Sequence, residues 1–340
     1  MQNPRFRFFH DQLPDEYSRG LYDALEEGIG HRAASITYRR GPEGFNYLEV
    51  LEHVYNDHPD FFALDPFNIN LSTLPAQVIL RPIYRYPEAD CQAYDRLLQK
   101  TAGDIMARLF PEGAGTLSEI EREKRIFDWI VDHVVYDHRS LDRLDSGLDV
   151  KESLAWNAYG ALVLRNAVCA GIACGFKLLC DMAGLPCIVV NGKAGSGRHA
   201  WNIVRIQQRF YQVDCTWDLK STLGREIPYA RYCFFNLPDE IMGITHTPEC
   251  RFLPRCGSLR YNPFHMRGYC AERMEELVPL AQAQIEAGKT RFAFMCLNFK
   301  ADGRLCAAVR QILLSKMKLP IRIITYYTNT GTFIGFVVER

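Results

Sequence analysis

The chain carries no net charge, no CxxC pair and no long apolar run, and each absence removes a class of function. Its 40 basic and 40 acidic side chains cancel over 340 residues, so no overall field favours nucleic acid or an anionic membrane. Twelve cysteines are present, but without a CxxC pair the zinc-ribbon and thioredoxin-like readings lose their signature. No stretch reaches the roughly 18 apolar residues of a spanning helix, and the start, MQNPRFRFFHDQLPDEY, lacks the apolar segment of a signal peptide. The expected address is the cytoplasm, where cysteines are free thiols and small buried hydrophobes. Repeats and low-complexity runs are missing too, and 48% hydrophobic with 24% charged residues is the balance of a globular chain with large cores.

Periodicity organises what is there. Residues 13–30 read as an amphipathic helix, SITYRR as a strand and FNYLEVLEHVYNDHPDFFAL as a helix ended by Pro59, and QVILRPIYRY (77–86) reads as a ribbon in which Pro82 demands an edge or a bulge. A helix over about 90–108 carries Ala93, Leu97, Leu98, Ile105 and Leu109 on one stripe, and Thr116 or Ser118 caps the next, LSEIEREKRIFDWIVDHVVYD. Residues 139–152 read as a charged loop. A further helix runs to Met182 with Gly184 as its stop. From Pro186 the period becomes two: CIVVNG, HAWNIVRI and RFYQVDCTWD read as three strands. Residues 229–275 are irregular, and the tail alternates helix, strand, helix, strand, strand. The order predicts an α+β fold with an N-terminal α/β extension (1–110), a core (111–245) and a C-terminal α/β segment (246–340).

A thiol becomes a nucleophile where its thiolate is stabilised, and the first turn of a helix does this with N–H groups that lack intrahelical acceptors. In RNAVCAGIACGF, Cys169 occupies such a place, whereas Cys174, Cys180 and Cys187 lie deeper in the helix or in the next strand. Gly171 leaves room for a backbone or a substrate to approach. A thiolate enzyme also needs an imidazole and a group to orient it. If Gln207-Gln208 is a two-residue hairpin turn, paired positions sum to about 415. His199 and Asp214 then share one face with Trp201, while Ala200, Val204, Ile206, Tyr211 and Val213 form the apolar face. Trp201 and Trp217 serve as sheet packing or cleft walls, and Asp218 as a turn former. His246, Cys250, Cys256, His265 and Cys270 crowd together with spacings of no familiar zinc finger, so no metal is expected.

Residues 157–218 resemble the core of the transglutaminase-like superfamily of papain-like cysteine enzymes. The likeness rests on NAYGAL, VCAG, HAWN and VDCTWD in order, with weaker extensions at FDWIVDHVVYD and RYCFFNLPDEIM. It implies a helix bearing the cysteine packed on an antiparallel sheet, a nucleophile at Cys169, a general acid/base at His199 and an orienting carboxylate at Asp214. It also implies a thioester route on a protein or peptide amide, with no cofactor. The oxyanion would be held by the Cys169 N–H and a side-chain donor; Asn157 is first choice, as an amide like the papain-like glutamine, with Trp156 and Tyr159 behind it. Ala170 departs from the Glu or Gln common at that position in the family. Two other readings stand beside this one: a non-catalytic binding module of the same fold, and an arylamine-type N-acyltransferase, which needs a coenzyme A site that the sequence does not reveal.

Overall fold

The computed structural model describes residues 6–140, 154–219, 221–250, 252–317, 321–328 and 330–339. Most of the charged loop expected at 139–152 lies outside them. The chain divides into two compact units: Met1–Asn191 with His199–Ile203 and Cys250–Phe252, and Gly192–Arg198 with Val204–Glu249 and Leu253–Arg340.

In the first unit, helices Glu16–Gly30 and Tyr47–Asp57 start at the polar caps Asp15 and Asn46, whose side chains accept from Ser18 and Glu49 N–H. They pack Leu21, Leu25, Val50 and Val54 over a three-stranded antiparallel sheet. Its strands are β1 (Ile36–Arg39), β2 (Leu64–Thr73) and β3 (Gln77–Tyr84), in the order β1-β3-β2. Of the edge and the bulge expected at Pro82, the structure has the bulge, because β3 is central. β1 reaches only Gln77–Leu80, and on the β2 side the register shifts between Leu64 and Ile69 beside Pro82, so the missing N–H falls where the ladder is already irregular. Sequence reasoning missed β2, although FNINLS within LDPFNINLST alternates from Phe67 to Ser72.

Helix Glu88–Leu109 buries Cys91, Leu98, Ala102 and Ile105, a stripe rotated from the expected one, and leaves Leu97 exposed. Ser118, rather than Thr116, caps Glu119–His133 in a reciprocal capping box with Glu121. Helix Cys169–Met182 is buried almost all round from Cys169 to Cys180, the mark of a central helix. It ends at Gly184, whose φ of +70° suits a glycine stop.

Strands β4 (Val135–Tyr136) and β5 (Asn166–Ala167) form a short parallel pair. β6 (Cys187–Ala194), β7 (Gly197–Ile206), β8 (Arg209–Val213) and β9 (His246–Pro248) form a sheet in the order β8-β7-β6-β9. Its two hairpins follow the sequence closely. The β7–β8 turn is the two residues Gln207 and Gln208, both left-handed at φ 46° and 64°, the turn whose twist matches that of a hairpin. The face that carries His199 and Asp214 is largely buried too: Trp201, Ile203, Gln212 and Asp214 are buried along with Ala200, Val204 and Tyr211. β8 also ends sooner than expected, because Cys215–Leu219 turns into a short helix.

In the second unit, β10 (Cys270–Ala271), β11 (Arg291–Cys296), β12 (Arg322–Tyr327) and β13 (Phe333–Glu339) form a sheet in the order β10-β11-β13-β12. Phe292, Phe294 and Phe336 pack with Leu277, Ala281, Val309 and Leu313 from helices Leu277–Glu286 and Gly303–Met317. The helix-strand-helix-strand-strand order of the tail is the one its periodicity predicts.

Candidate active site

In the first unit, Cys169 is the first residue of its helix. Val168 before it is extended (φ −85°, ψ 177°) and supplies no side-chain cap, and the first helical bond runs from Ile172 N–H to Val168 O at 3.0 Å. The sulfur therefore belongs to the turn whose N–H groups have no intrahelical acceptor. The residue is 7% exposed.

A turn at residues 154–157 is packed against this helix start. Val168 N–H donates to Ala155 O at 3.0 Å. A Cβ on Gly171 would lie 2.3 Å from Ala155 O and 2.9 Å from Asn157 O, so the glycine makes room for backbone, not for substrate. Gly160 plays the same part on the other side of the turn, where a Cβ would meet Leu154 O at 2.4 Å. The segment that follows, Gly160–Leu164, is a turn of π-helix closed by left-handed Arg165.

The three oxyanion candidates separate in this setting. Asn157 is 1% exposed and its Oδ1 accepts from Tyr159 N–H at 3.0 Å, while its Nδ2 is buried without a partner among the described residues. Trp156 Nε1 is likewise buried without a partner. Leaving such a donor unsatisfied costs about 1–3 kcal/mol, so two on one turn call for an explanation. Tyr159 is a packing residue, with its ring 6.0 Å from Phe62 and 5.1 Å from Tyr94.

His199 lies on β7, its ring stacked on Trp201 at 6.1 Å and 17°. Trp201 is 1% exposed and acts as packing beneath the imidazole. Three residues from His199, Asn202 Nδ2 donates to Ala173 O at 3.1 Å and Ile188 O at 3.2 Å, fixing β7 against the Cys169 helix.

The other cysteines contrast with this helix start. Burial pushes Cys174 up to about 12 and Cys180 well above the ordinary range, and it does the same to Cys233 and Cys296. Those thiols stay protonated at neutral pH.

In the second unit, Asp214 follows β8 directly. Its Oδ1 accepts from Thr216 N–H at 2.8 Å and Trp217 N–H at 3.2 Å, capping the short helix. Its Oδ2 lies 3.1 Å from His246 Nε2, and both side chains are 1% exposed. Sequence reasoning missed this partner: His246 stood among crowded loop residues, yet it lies on β9 and faces a carboxylate 32 positions away. Asp218 is not a turn former. It is buried, its Oδ2 accepts from Phe234 N–H at 2.9 Å, and its Oδ1 has no partner among the described residues. Burial drives its carboxyl well above the ordinary range, and nearby Asp214 adds to the rise. Trp217 packs between Phe234 at 4.9 Å and His246 at 4.7 Å.

Residues 109–215 match the family model of the transglutaminase-like superfamily, and the chain around them has a mixed helix-and-sheet, α+β fold. The chain is similar to the kyphoscoliosis peptidase of Homo sapiens, 30% identical over 147 residues, and to that of Mus musculus, 26% over 144. Each match covers 39% of the chain, which spans about a fifth of the length of these relatives, 21% and 20%. Among solved structures, a crystal structure of a TGase is 17% identical, with 54% of this chain and 50% of that one covered at a TM-score of 0.31. No helix among the described residues is long and apolar enough to cross a membrane.

Proposed function

We propose that this core is a cysteine-dependent enzyme acting on an amide of a protein or peptide. Cys169 sulfur attacks the carbonyl carbon, forming a C–S bond. The C–N bond then breaks as His199 passes the thiol's proton to the leaving nitrogen, and Asp214 holds that imidazole in orientation. Water or a second amine resolves the thioester. The negative charge on the carbonyl oxygen in between needs donors that are aimed and unoccupied beforehand. The observation that carries the reading is that Asn157 Nδ2 and Trp156 Nε1 are buried without a partner among the described residues, on the turn packed against the first turn of the Cys169 helix. The Gln207–Gln208 turn supports it further, since the expected sharing of a face by His199 and Asp214 depends on a two-residue hairpin loop.

The test is alkylation of the native protein with iodoacetamide at about pH 6–7, where an ordinary thiol is protonated, with the modified cysteine mapped by mass spectrometry. Cys169 is expected to react far ahead of Cys174, Cys180 and Cys233, and His199→Ala to abolish the excess. If Cys169 reacts no faster than the buried thiols, the enzyme reading fails and the core is a binding module. A glutamine peptide offered with an amine probe then divides transfer from hydrolysis: probe incorporation means transfer, release of ammonia alone means hydrolysis.

A further inference from the structure

We infer that His246 is a positioning residue for the Asp214 carboxylate, a fourth member of the chain Cys169, His199, Asp214; the inference rests on the triad reading above. An orienting carboxylate works only if it is itself held, because one free to rotate offers the imidazole a different oxygen from moment to moment. Asp214 is held from two directions. The N–H groups of Thr216 and Trp217 fix Oδ1, and His246 Nε2 reaches Oδ2 at 3.1 Å. Since a carboxylate only accepts, Nε2 carries the proton in this contact. Thr245 Oγ1 lies 2.8 Å from Nδ1 and donates its hydroxyl proton to Met242 O at 3.4 Å, so it braces the far edge of the ring.

The surroundings keep the imidazole where it is. Trp217 and Phe234 pack against its ring at 4.7 and 6.0 Å. β9 is anchored to β6 through the Ala194–His246 pair, and Gly195 N–H donates to Thr245 O at 3.0 Å. Among the described residues, the titratable groups around this carboxylate include His199 and, one turn further along, Asp218, whose carboxyl burial pushes well above the ordinary range beside Asp214 and Arg231. Apolar packing alone would be served by leucine or phenylalanine at 246. What distinguishes the histidine is a directed donor, and glutamine is the side chain that places an amide N–H close to the same point.

The experiment compares the pH profile of Cys169 alkylation in the full chain for wild type, His246→Gln, His246→Leu and Thr245→Val, with Asp214→Asn as reference. His246→Leu is expected to react about ten- to hundredfold more slowly at pH 6, the loss of one hydrogen bond to a charged group, with its profile displaced toward higher pH. His246→Gln stays within about threefold of wild type on the same scale, and Thr245→Val moves the profile in the direction of leucine by less. The inference is overturned if leucine keeps the wild-type profile, if folded glutamine and leucine variants are equally impaired, or, should leucine fail to fold, if Thr245→Val leaves the profile unmoved. Failure of the triad reading looks different: wild type then shows no excess reactivity at Cys169, and Asp214→Asn changes nothing.

Discussion

Substituting Gly171 by alanine separates the two roles open to a glycine two residues after Cys169. The new Cβ would sit 2.3 Å from Ala155 O and 2.9 Å from Asn157 O, against a carbon–oxygen contact of about 3.3–3.6 Å. The first approach is too close by about 1 Å. Both obstacles are backbone, so no rotamer change relieves them and the 154–157 turn must move. Overpacking of this kind costs about 1–3 kcal/mol, partly offset by alanine's better helix propensity, at most about 1 kcal/mol. The control is Gly103→Ala in helix Glu88–Leu109, where a Cβ meets nothing within 4 Å and only the propensity gain remains. Thermal unfolding should drop by roughly 2–10 °C for Gly171→Ala and hold or rise for Gly103→Ala. Because the displaced turn carries Asn157 and Trp156, turnover of an amide substrate should fall more than the rate of Cys169 alkylation, which needs no oxyanion donor. A Gly171→Ala protein as stable as Gly103→Ala, with unchanged turnover, would refute the packing argument and free the glycine for substrate.

Two further outcomes concern stability alone. Lys177 is fully buried in the Cys169 helix, its Nζ 3.1 Å from Asp181 and 2.9 Å from Cys187 O; Lys177→Met removes the cation beside a buried carboxylate and should cost about 3–5 kcal/mol in urea unfolding, so an unchanged midpoint would contradict this. Burial pushes Glu26 up, but hydrogen bonds and charge from His58 and then Arg7 outweigh it and hold the carboxyl at about 2 instead of 4.5. A lowered folded value adds stability above pH 4.5 that is lost as pH falls to about 2. Wild type and Glu26→Gln should therefore differ at neutral pH and converge near that limit; a gap that persists there would assign the effect to shape.

The strongest local signals in the sequence were those in which neighbours decide structure. An apolar run with a glycine stop gave the Cys169 helix. The Ser118-to-Glu121 spacing gave a capped helix, and two residues between alternating runs gave the Gln207–Gln208 hairpin, despite side chains that rarely take left-handed backbone. Where a partner lay elsewhere in the chain, pattern misled. The stripe on helix Glu88–Leu109 turned because its neighbours, not its own leucines, choose the buried face, and Asp218 looked like a turn former because its burial depends on Phe234, 16 positions on.

Residue order alone thus pointed to many of the elements and to the short list Cys169, His199 and Asp214, since helix starts, alternation and turn length are encoded within a few residues. Tertiary structure decided the rest. It buried both faces of the sheet, filled the space beside Gly171 with the backbone of another turn, left donors of Asn157 and Trp156 without a partner among the described residues, and brought His246 to Asp214. Hydrogen bonds between distant residues depend on how elements pack, and no periodicity within a segment records which distant group will meet it.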